Sequence, residues 1–219
     1  MVGRGPAAII DPGPLDRGHL DALAAAVHGA ESCTLLLTHD HGDHSAGAAT
    51  LGDMLGIPVH GPGGVKSVVD GDRFETSLGP LVAVSTPGHT REHFCYHLTD
   101  SGAVFVGDMI LGEGNTTWIG EYSGGVADYL DSLDVLSELD ASVLYPGHGD
   151  AISDAAARID RFRQHRLTRI AQVRDAMEGL TDPSVDELVT AVYPGLEAGL
   201  RPAAASSVEA ILDYLTGRR

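Results

Sequence analysis

The chain has 219 residues, of which 43% are hydrophobic, and its 14 Lys and Arg against 31 Asp and Glu give a net charge of −17. This length allows one sizeable core with a small appendage, and no apolar run approaches the roughly 18 residues that would span a bilayer, which argues against a membrane partner. Most of the acidic excess lies in residues 1–157, which would repel a polyanion and favours a small-molecule partner.

Strands and helices alternate along the first 150 residues. Short apolar runs predict strands at residues 7–10, 33–38, 81–85, 103–106 and 142–145. Helical periodicity predicts helices at residues 21–28, 47–55 and 129–139. The alternation predicts an α/β core.

The segment after the second predicted strand reads His-Asp-His-Gly-Asp-His and carries four candidate metal ligands, His39, His41, Asp43 and His44. In extended backbone His39 and His41 lie on one side, whereas the tight step from Asp43 to His44 turns the next two side chains elsewhere. One loop could therefore serve two adjacent ions. The alternative is a polar turn with incidental histidines.

Three further candidate ligands each follow a strand-like run, and they are His89, Asp108 and His148. Pro and Gly beside them break the strands and open loops. Because side chains at the same ends of several strands meet at one rim of a sheet, we expect all seven groups to converge.

This pattern, a His-x-His-x-Asp-His loop followed by separate His, Asp and His motifs, resembles the metallo-β-lactamase superfamily. The resemblance implies an αββα sandwich that binds two divalent ions. It implies one ion on His39, His41 and His89, and a second on Asp43, His44 and His148, with Asp108 bridging them. Zinc is the default because histidine nitrogen and carboxylate oxygen suit it, although iron and manganese tolerate the same ligands.

Other segments are similar to the β-lactamase-like protein 2 group: residues 111–117, the Tyr-Pro-Gly-His-Gly run at 145–149, and a long helical tail that contains His165 and Arg166. That group implies a catalytic domain at 1–152 and a small helical, winged-helix-like domain at 153–219. Members of that group usually open with a β-hairpin, whereas here only one predicted strand, residues 7–10, precedes the Asp-Pro-Gly-Pro turn. The shortened start would expose a sheet edge and open the pocket, and pairing with a partner chain, including a homo-oligomer, is compatible with it.

The predicted tail helices cover residues 154–178, 185–192 and 203–215. Six arginines lie on the first, at positions 158, 161, 163, 166, 169 and 174. Its apolar residues should face the core and leave the arginines exposed. A solvated basic face is favoured over a nucleic-acid stripe, because no aromatic residues are interleaved with the arginines.

Several predictions concern single residues. His93 is either an outer-shell donor that orients a ligand or an ordinary polar residue at a strand start. Residues Asn115, Thr116 and Thr117 either line the substrate pocket or form an irregular turn. Cys33 and Cys95 are expected to be free buried thiols, because no secretory signal is visible at the N-terminus, and a cytoplasmic location is expected for the same reason.

Two cations sharing a hydroxide would attack an electrophilic carbonyl or phosphorus, and Asp43 could steer its proton. Three functions follow. The first is a hydrolase of small thioesters, lactones or other esters. The second is an endoribonuclease that cleaves single-stranded RNA. The third, a non-catalytic binding or redox module, agrees least well with a complete ligand set.

Overall fold

The computed structural model describes residues 1–218 and contains two sheets; the last residue of the predicted C-terminal domain lies outside the described residues. The first sheet is parallel, in the order β1-β2-β3, and the second has the order β4-β5-β6-β7-β8. The second sheet is antiparallel from β4 to β7, whereas β7 and β8 run parallel. The strands are β1 (Pro6–Ile10), β2 (Ser32–Leu36), β3 (Val59–His60), β4 (Arg73–Phe74), β5 (Leu81–Ser85), β6 (Phe94–Leu98), β7 (Ala103–Gly107) and β8 (Val143–Pro146).

Alternating side chains of the strands divide the core into layers. Leu35 of β2 packs with Leu20 and Leu51 of the helices on the outer face of the first sheet. Leu36, the next residue, packs against the second sheet, where it joins Tyr96. The period of two along a strand therefore produces the αββα sandwich expected from the ligand motifs.

Seven α-helices occupy residues 1–218. Their bounds are α1 (Arg17–Ala26), α2 (Gly42–Ser45), α3 (Ala48–Leu55), α4 (Gly125–Glu138), α5 (Ala155–Gly179), α6 (Val185–Val192) and α7 (Arg201–Thr216). One 3-10 turn, Ala198–Leu200, precedes α7. None of the helices in this described part is long and apolar enough to cross a bilayer.

The C-terminal helices share a hydrophobic cluster with the second sheet. Val104 and Leu144 of that sheet pack in the same cluster as Ile159 of α5, Leu188 of α6 and Val208 of α7. Residues 153–218 form helices and no strand, so the helical part of the expectation is confirmed. The winged-helix likeness and the boundary at residue 152 stay predictions.

Several local expectations need correction. Helix α1 begins at Arg17 rather than residue 21, because the Asp16 side chain accepts a hydrogen bond from the His19 backbone N–H and caps the helix early. The expected loop at the metal motif contains the short helix α2. Cys95 is buried and Cys33 is half-buried, and both thiols are free.

The prediction that the α5 arginines are exposed is wrong for Arg166, which is only 3% exposed. Helical periodicity counts arginine as polar, so it could not show that Arg166 would be buried with a hydrogen bond to a backbone carbonyl of another segment.

The edge of β1 that was expected to be exposed is partly covered, because Val2 and Ala8 exchange backbone hydrogen bonds of 2.7 and 2.8 Å.

Candidate metal centre

The first metal motif bridges the end of β2 and the helix α2. His39 lies fully buried beyond the strand, and His41 is the N-cap residue of α2. Asp43 and His44 belong to the helix itself, and the His44 ring lies 4.1 Å from the His39 ring, closer than the His41 ring at 4.8 Å. His44 is therefore not turned away from His39, and the division of the motif between two ions stays a prediction.

Three of the predicted side chains form one group of imidazoles. Nitrogen atoms of His39, His41 and His89 all lie within 4.8 Å of one another, and His89 Nε2 is 3.1 Å from His41 Nδ1. Burial lowers the pKa of His39 and of His89, which favours the neutral imidazole. Neutral imidazole is the form that binds a metal ion.

A second group consists of Asp43, His44 and His148, whose ligand atoms also lie within 4.8 Å of one another. The Asp43 carboxylate is 3.0 Å from His148 Nε2, and both side chains are half exposed. This group therefore faces solvent more openly than the imidazole group.

Asp108 lies between the two groups at the end of β7. Its Oδ1 is 3.4 Å from His44 Nε2, and its Oδ2 is 3.8 Å from His89 Nε2 and 3.6 Å from His148 Nε2. Gly107 brings the chain into place with φ of +49°, where a Cβ atom would lie 2.6 Å from the Thr38 hydroxyl oxygen. One carboxylate therefore contacts members of both groups.

Sequence reasoning missed Asp11, which orients the site from the turn after β1. Its carboxylate accepts hydrogen bonds of 2.7 Å from the Thr38 backbone N–H and from the Thr38 hydroxyl. It also contacts His44 Nδ1 at 2.9 Å. The Asp-Pro-Gly turn directly after a strand was the available signal.

Hydrogen bonds fix which nitrogen of each imidazole faces the site. The Thr38 hydroxyl gives its proton to Asp11, so it accepts at 2.9 Å from His39 Nδ1–H. His44 Nδ1 donates to Asp11, and His89 Nδ1 donates to the Trp118 carbonyl at 2.9 Å. In the neutral imidazoles of His39 and His89, Nε2 then carries a lone pair, as a metal ligand requires, whereas His44 Nε2 would give up its proton when a metal ion binds.

The buried polar atoms of the site support the same conclusion. His39 Nε2, His44 Nε2 and Asp108 Oδ1 are buried and have no hydrogen-bond partner within residues 1–218. Unpaired buried polar atoms are costly, and a cation among them would satisfy all three. Burial lowers the pKa of His44, but the Asp108 and Asp11 carboxylates outweigh it and raise that pKa to about 10. The donor set therefore attracts positive charge and fits divalent ions.

The remaining candidate residues lie around this centre. His93 is buried, with its Nδ1 3.0 Å from the Thr86 hydroxyl and its ring stacked on His39 at 5.2 Å. The Thr117 hydroxyl is 3.4 Å from His89 Nδ1, whereas Asn115 and Thr116 are exposed. Their roles in orienting ligands or binding substrate stay predictions.

Two arginines of α5 hold the loop that carries these threonines. Arg158 donates hydrogen bonds to the carbonyls of Leu111, Gly112 and Gly114, at 3.1 to 3.4 Å. Arg166 donates to the Thr117 carbonyl at 2.9 Å. Helix α5 therefore supports the loop whose next residue, Trp118, accepts from His89.

A cavity of about 510 Å³ adjoins the centre on its open side. Asp43, His44 and His148 line it together with Phe105 and Tyr145, whose rings stack at 5.1 Å. Carboxylate and imidazole groups therefore meet apolar surface, as in a site for a small organic molecule.

Residues 51–148 match the family model described as the metallo-beta-lactamase superfamily. The lactamase-like protein adaB of Aspergillus niger is 33% identical over 81% of this chain and 57% of its own. The beta-lactamase-like protein 2 homolog of Caenorhabditis elegans is 30% identical over 83% of this chain and 64% of its own. An atrochrysone carboxyl ACP thioesterase of Aspergillus chevalieri is 32% identical over 88% of this chain and 66% of its own. The chain thus spans less than two thirds of the length of these relatives.

Solved structures show the same fold. A metallo-beta-lactamase family protein from Thermus thermophilus superposes with a TM-score of 0.81 at 23% identity, over 99% of this chain and 87% of its own. The likeness includes the C-terminal helices, because nearly the whole chain is covered.

Proposed function

This chain belongs to the metallo-β-lactamase superfamily, and from that premise we propose that it is a metal-dependent hydrolase of small thioesters or related esters. The observation that carries the proposal is the convergence of two ligand groups on Asp108, with the Nε2 atoms of His44, His89 and His148 lying 3.4 to 3.8 Å from its carboxylate. Bound divalent ions, with zinc as the expected metal, would supply Lewis acidity that ionises water near neutral pH and stabilises developing negative charge.

We propose separate roles for the residues of the site: metal ligands, a proton acceptor and groups that orient the imidazoles. We assign His39, His41 and His89 to one ion and Asp43, His44 and His148 to the other, with Asp108 shared. Asp43 is half exposed toward the 510 Å³ cavity, so its carboxylate can accept a proton from attacking water. Asp11 and Thr38 hold the imidazoles in the tautomer that the reaction needs.

The net charge of the chain and the names of its relatives both bear on the class of substrate that we propose. One relative is named as an acyl-carrier-protein thioesterase, which supports a carbonyl substrate. The net charge of −17 opposes a long polyanion. Arg158, Arg166 and Arg169 donate to backbone carbonyls. Arg163 and Arg174 pair with Asp134 and Asp175, so five of the six α5 arginines are already engaged. These contacts weaken the endoribonuclease alternative, which depends on those arginines reaching phosphates.

Metal analysis combined with a two-substrate assay tests the proposal. We expect about two divalent ions per chain and turnover of an acetyl or benzoyl thioester. The thiol that is released measures this turnover. Asp108→Asn should reduce turnover by more than the roughly 100-fold that loss of an outer-shell partner can cost. The exposed Asp53→Asn serves as the matched control and should behave like the parent protein. Cleavage of unstructured RNA with steep salt dependence, without thioester turnover, would establish the alternative instead.

A further inference from the structure

Arg166 is a buried cation without a counter-ion. Its guanidinium lies 5.6 Å from the ring of Tyr129 and donates one hydrogen bond, to the Thr117 carbonyl. Within residues 1–218 no carboxylate forms an ion pair with it, and its Nε atom has no hydrogen-bond partner. Buried charges are ordinarily paired, so the arrangement lacks a negative group.

A cavity of about 290 Å³ lies beside this guanidinium, between α5, α7 and the loop that follows Asn115. We call it the basic cavity, because His165, Arg166 and Arg169 line one side of it. Arg169 donates to Gln172 and to a backbone carbonyl, and within the described chain no carboxylate pairs with it either. His165 Nδ1 is buried and has no partner there.

The remaining walls combine hydroxyl groups with apolar surface. Thr116 and Ser207 line it, with the Thr116 hydroxyl donating to the Thr117 carbonyl, and Trp118, Leu196 and Leu200 are its apolar lining residues. Hydroxyls and guanidinium groups together suit a planar or tetrahedral oxyanion, and the apolar residues suit an attached organic group.

We propose that the basic cavity binds the carboxylate or phosphate group of a small organic molecule. The anion would accept hydrogen bonds from Arg166 and Arg169 and so supply the missing negative charge. The site is distinct from the metal centre, and Trp118 lies between the two. Its carbonyl accepts a hydrogen bond from His89, and the residue also lines the cavity. The inference extends beyond the hydrolytic proposal and needs no turnover to be tested.

Trp118 is the single tryptophan of the chain and lines this cavity, and its ring also lies 6.4 Å from that of His89, so its fluorescence reports on both sites. The metal-loaded protein is titrated with sodium phosphate and separately with sodium benzoate, at ionic strength held constant with chloride. We expect a saturable change in emission with at least one of the two anions, and the responding anion identifies the group the cavity takes. Arg169→Gln should weaken binding by about 10-fold, as expected for loss of one charge-assisted hydrogen bond. Arg161→Gln, an exposed arginine on the same helix, is the matched control and should leave binding unchanged.

Two further variants make the result decisive. Arg166→Lys keeps the charge but not the planar fork and should also weaken binding, with folding checked by circular dichroism. Asp108→Asn should leave the titration intact, because it alters only the metal centre. A linear response to both anions would overturn the proposal. So would a saturable response that Asp108→Asn abolishes and Arg169→Gln preserves, since the anion would then lie on the metal ions.

Discussion

Single residues set the direction of each imidazole in the candidate metal centre. The seven candidate ligands could be predicted because each stands in a short local pattern, such as the histidine-rich loop or a His between Gly residues, and their binding of metal stays a prediction. Asp11 was missed although an Asp-Pro-Gly turn marks it, because its importance arises from contacts to Thr38 and His44, which are distant along the chain. A carboxylate that acts through another ligand leaves no spacing pattern of its own.

Asp11→Asn tests this supporting role. The substitution preserves shape but removes the charge that holds the proton on His44 Nδ1, so metal affinity should fall by roughly 10- to 100-fold. Competition with a chromophoric chelator measures the affinity, and Asp53→Asn serves as the control. Unchanged affinity in Asp11→Asn would show that the hydrogen bond to His44 does not matter for metal binding.

At the scale of elements, α5 links the C-terminal helices to the metal centre. Its bounds were predicted within one residue, since apolar periodicity and the Asp154 cap are both local signals. The two-residue strands β3 and β4 are too short to show any period and were not predicted. The contacts of Arg158 and Arg166 were not predicted either, because their acceptors are carbonyls, which side-chain patterns do not reveal.

Arg158→Met tests whether α5 supports the loop at residues 111–118. Loss of the hydrogen bonds to three carbonyls should lower the free energy of unfolding by about 1–3 kcal/mol and speed amide exchange in that loop. Chemical denaturation and hydrogen–deuterium exchange measure the two effects. Arg161→Met is the matched control on the same helix. Equal amide exchange rates in Arg158→Met and Arg161→Met would show that the loop keeps its structure without the Arg158 hydrogen bonds.

For the whole molecule, the sandwich architecture followed from the resemblance of its ligand motifs to a known superfamily, not from strand periodicity alone. The cluster that joins the second sheet to α5, α6 and α7 could not be foreseen, because helix amphipathicity gives a buried face without naming its partner. The cytoplasmic location and the state of assembly stay predictions.

Metal removal is expected to destabilise the entire fold. Ions that bind only the native state stabilise it by about 2.7 kcal/mol at a concentration 100 times Kd. With about 2–4 °C per kcal/mol for a chain of this size, chelation should lower Tm by roughly 5–10 °C. Calorimetry before and after dialysis against a chelator measures the shift, and restoring the metal should reverse it. In Asp108→Asn the shift should shrink, whereas an unchanged Tm in the parent protein would contradict native-state metal binding.

The position of α5 after all seven ligands affects how the protein matures during translation. When His148 has just been added, the growing chain contains all seven candidate ligands but not yet Arg158 and Arg166. The loop at residues 111–118, beside His89, then lacks the hydrogen bonds from these two arginines. We therefore expect metal to be held stably only after α5 has been made, and a chain that stops shortly after residue 150 to keep all seven candidate ligands in a poorly held site.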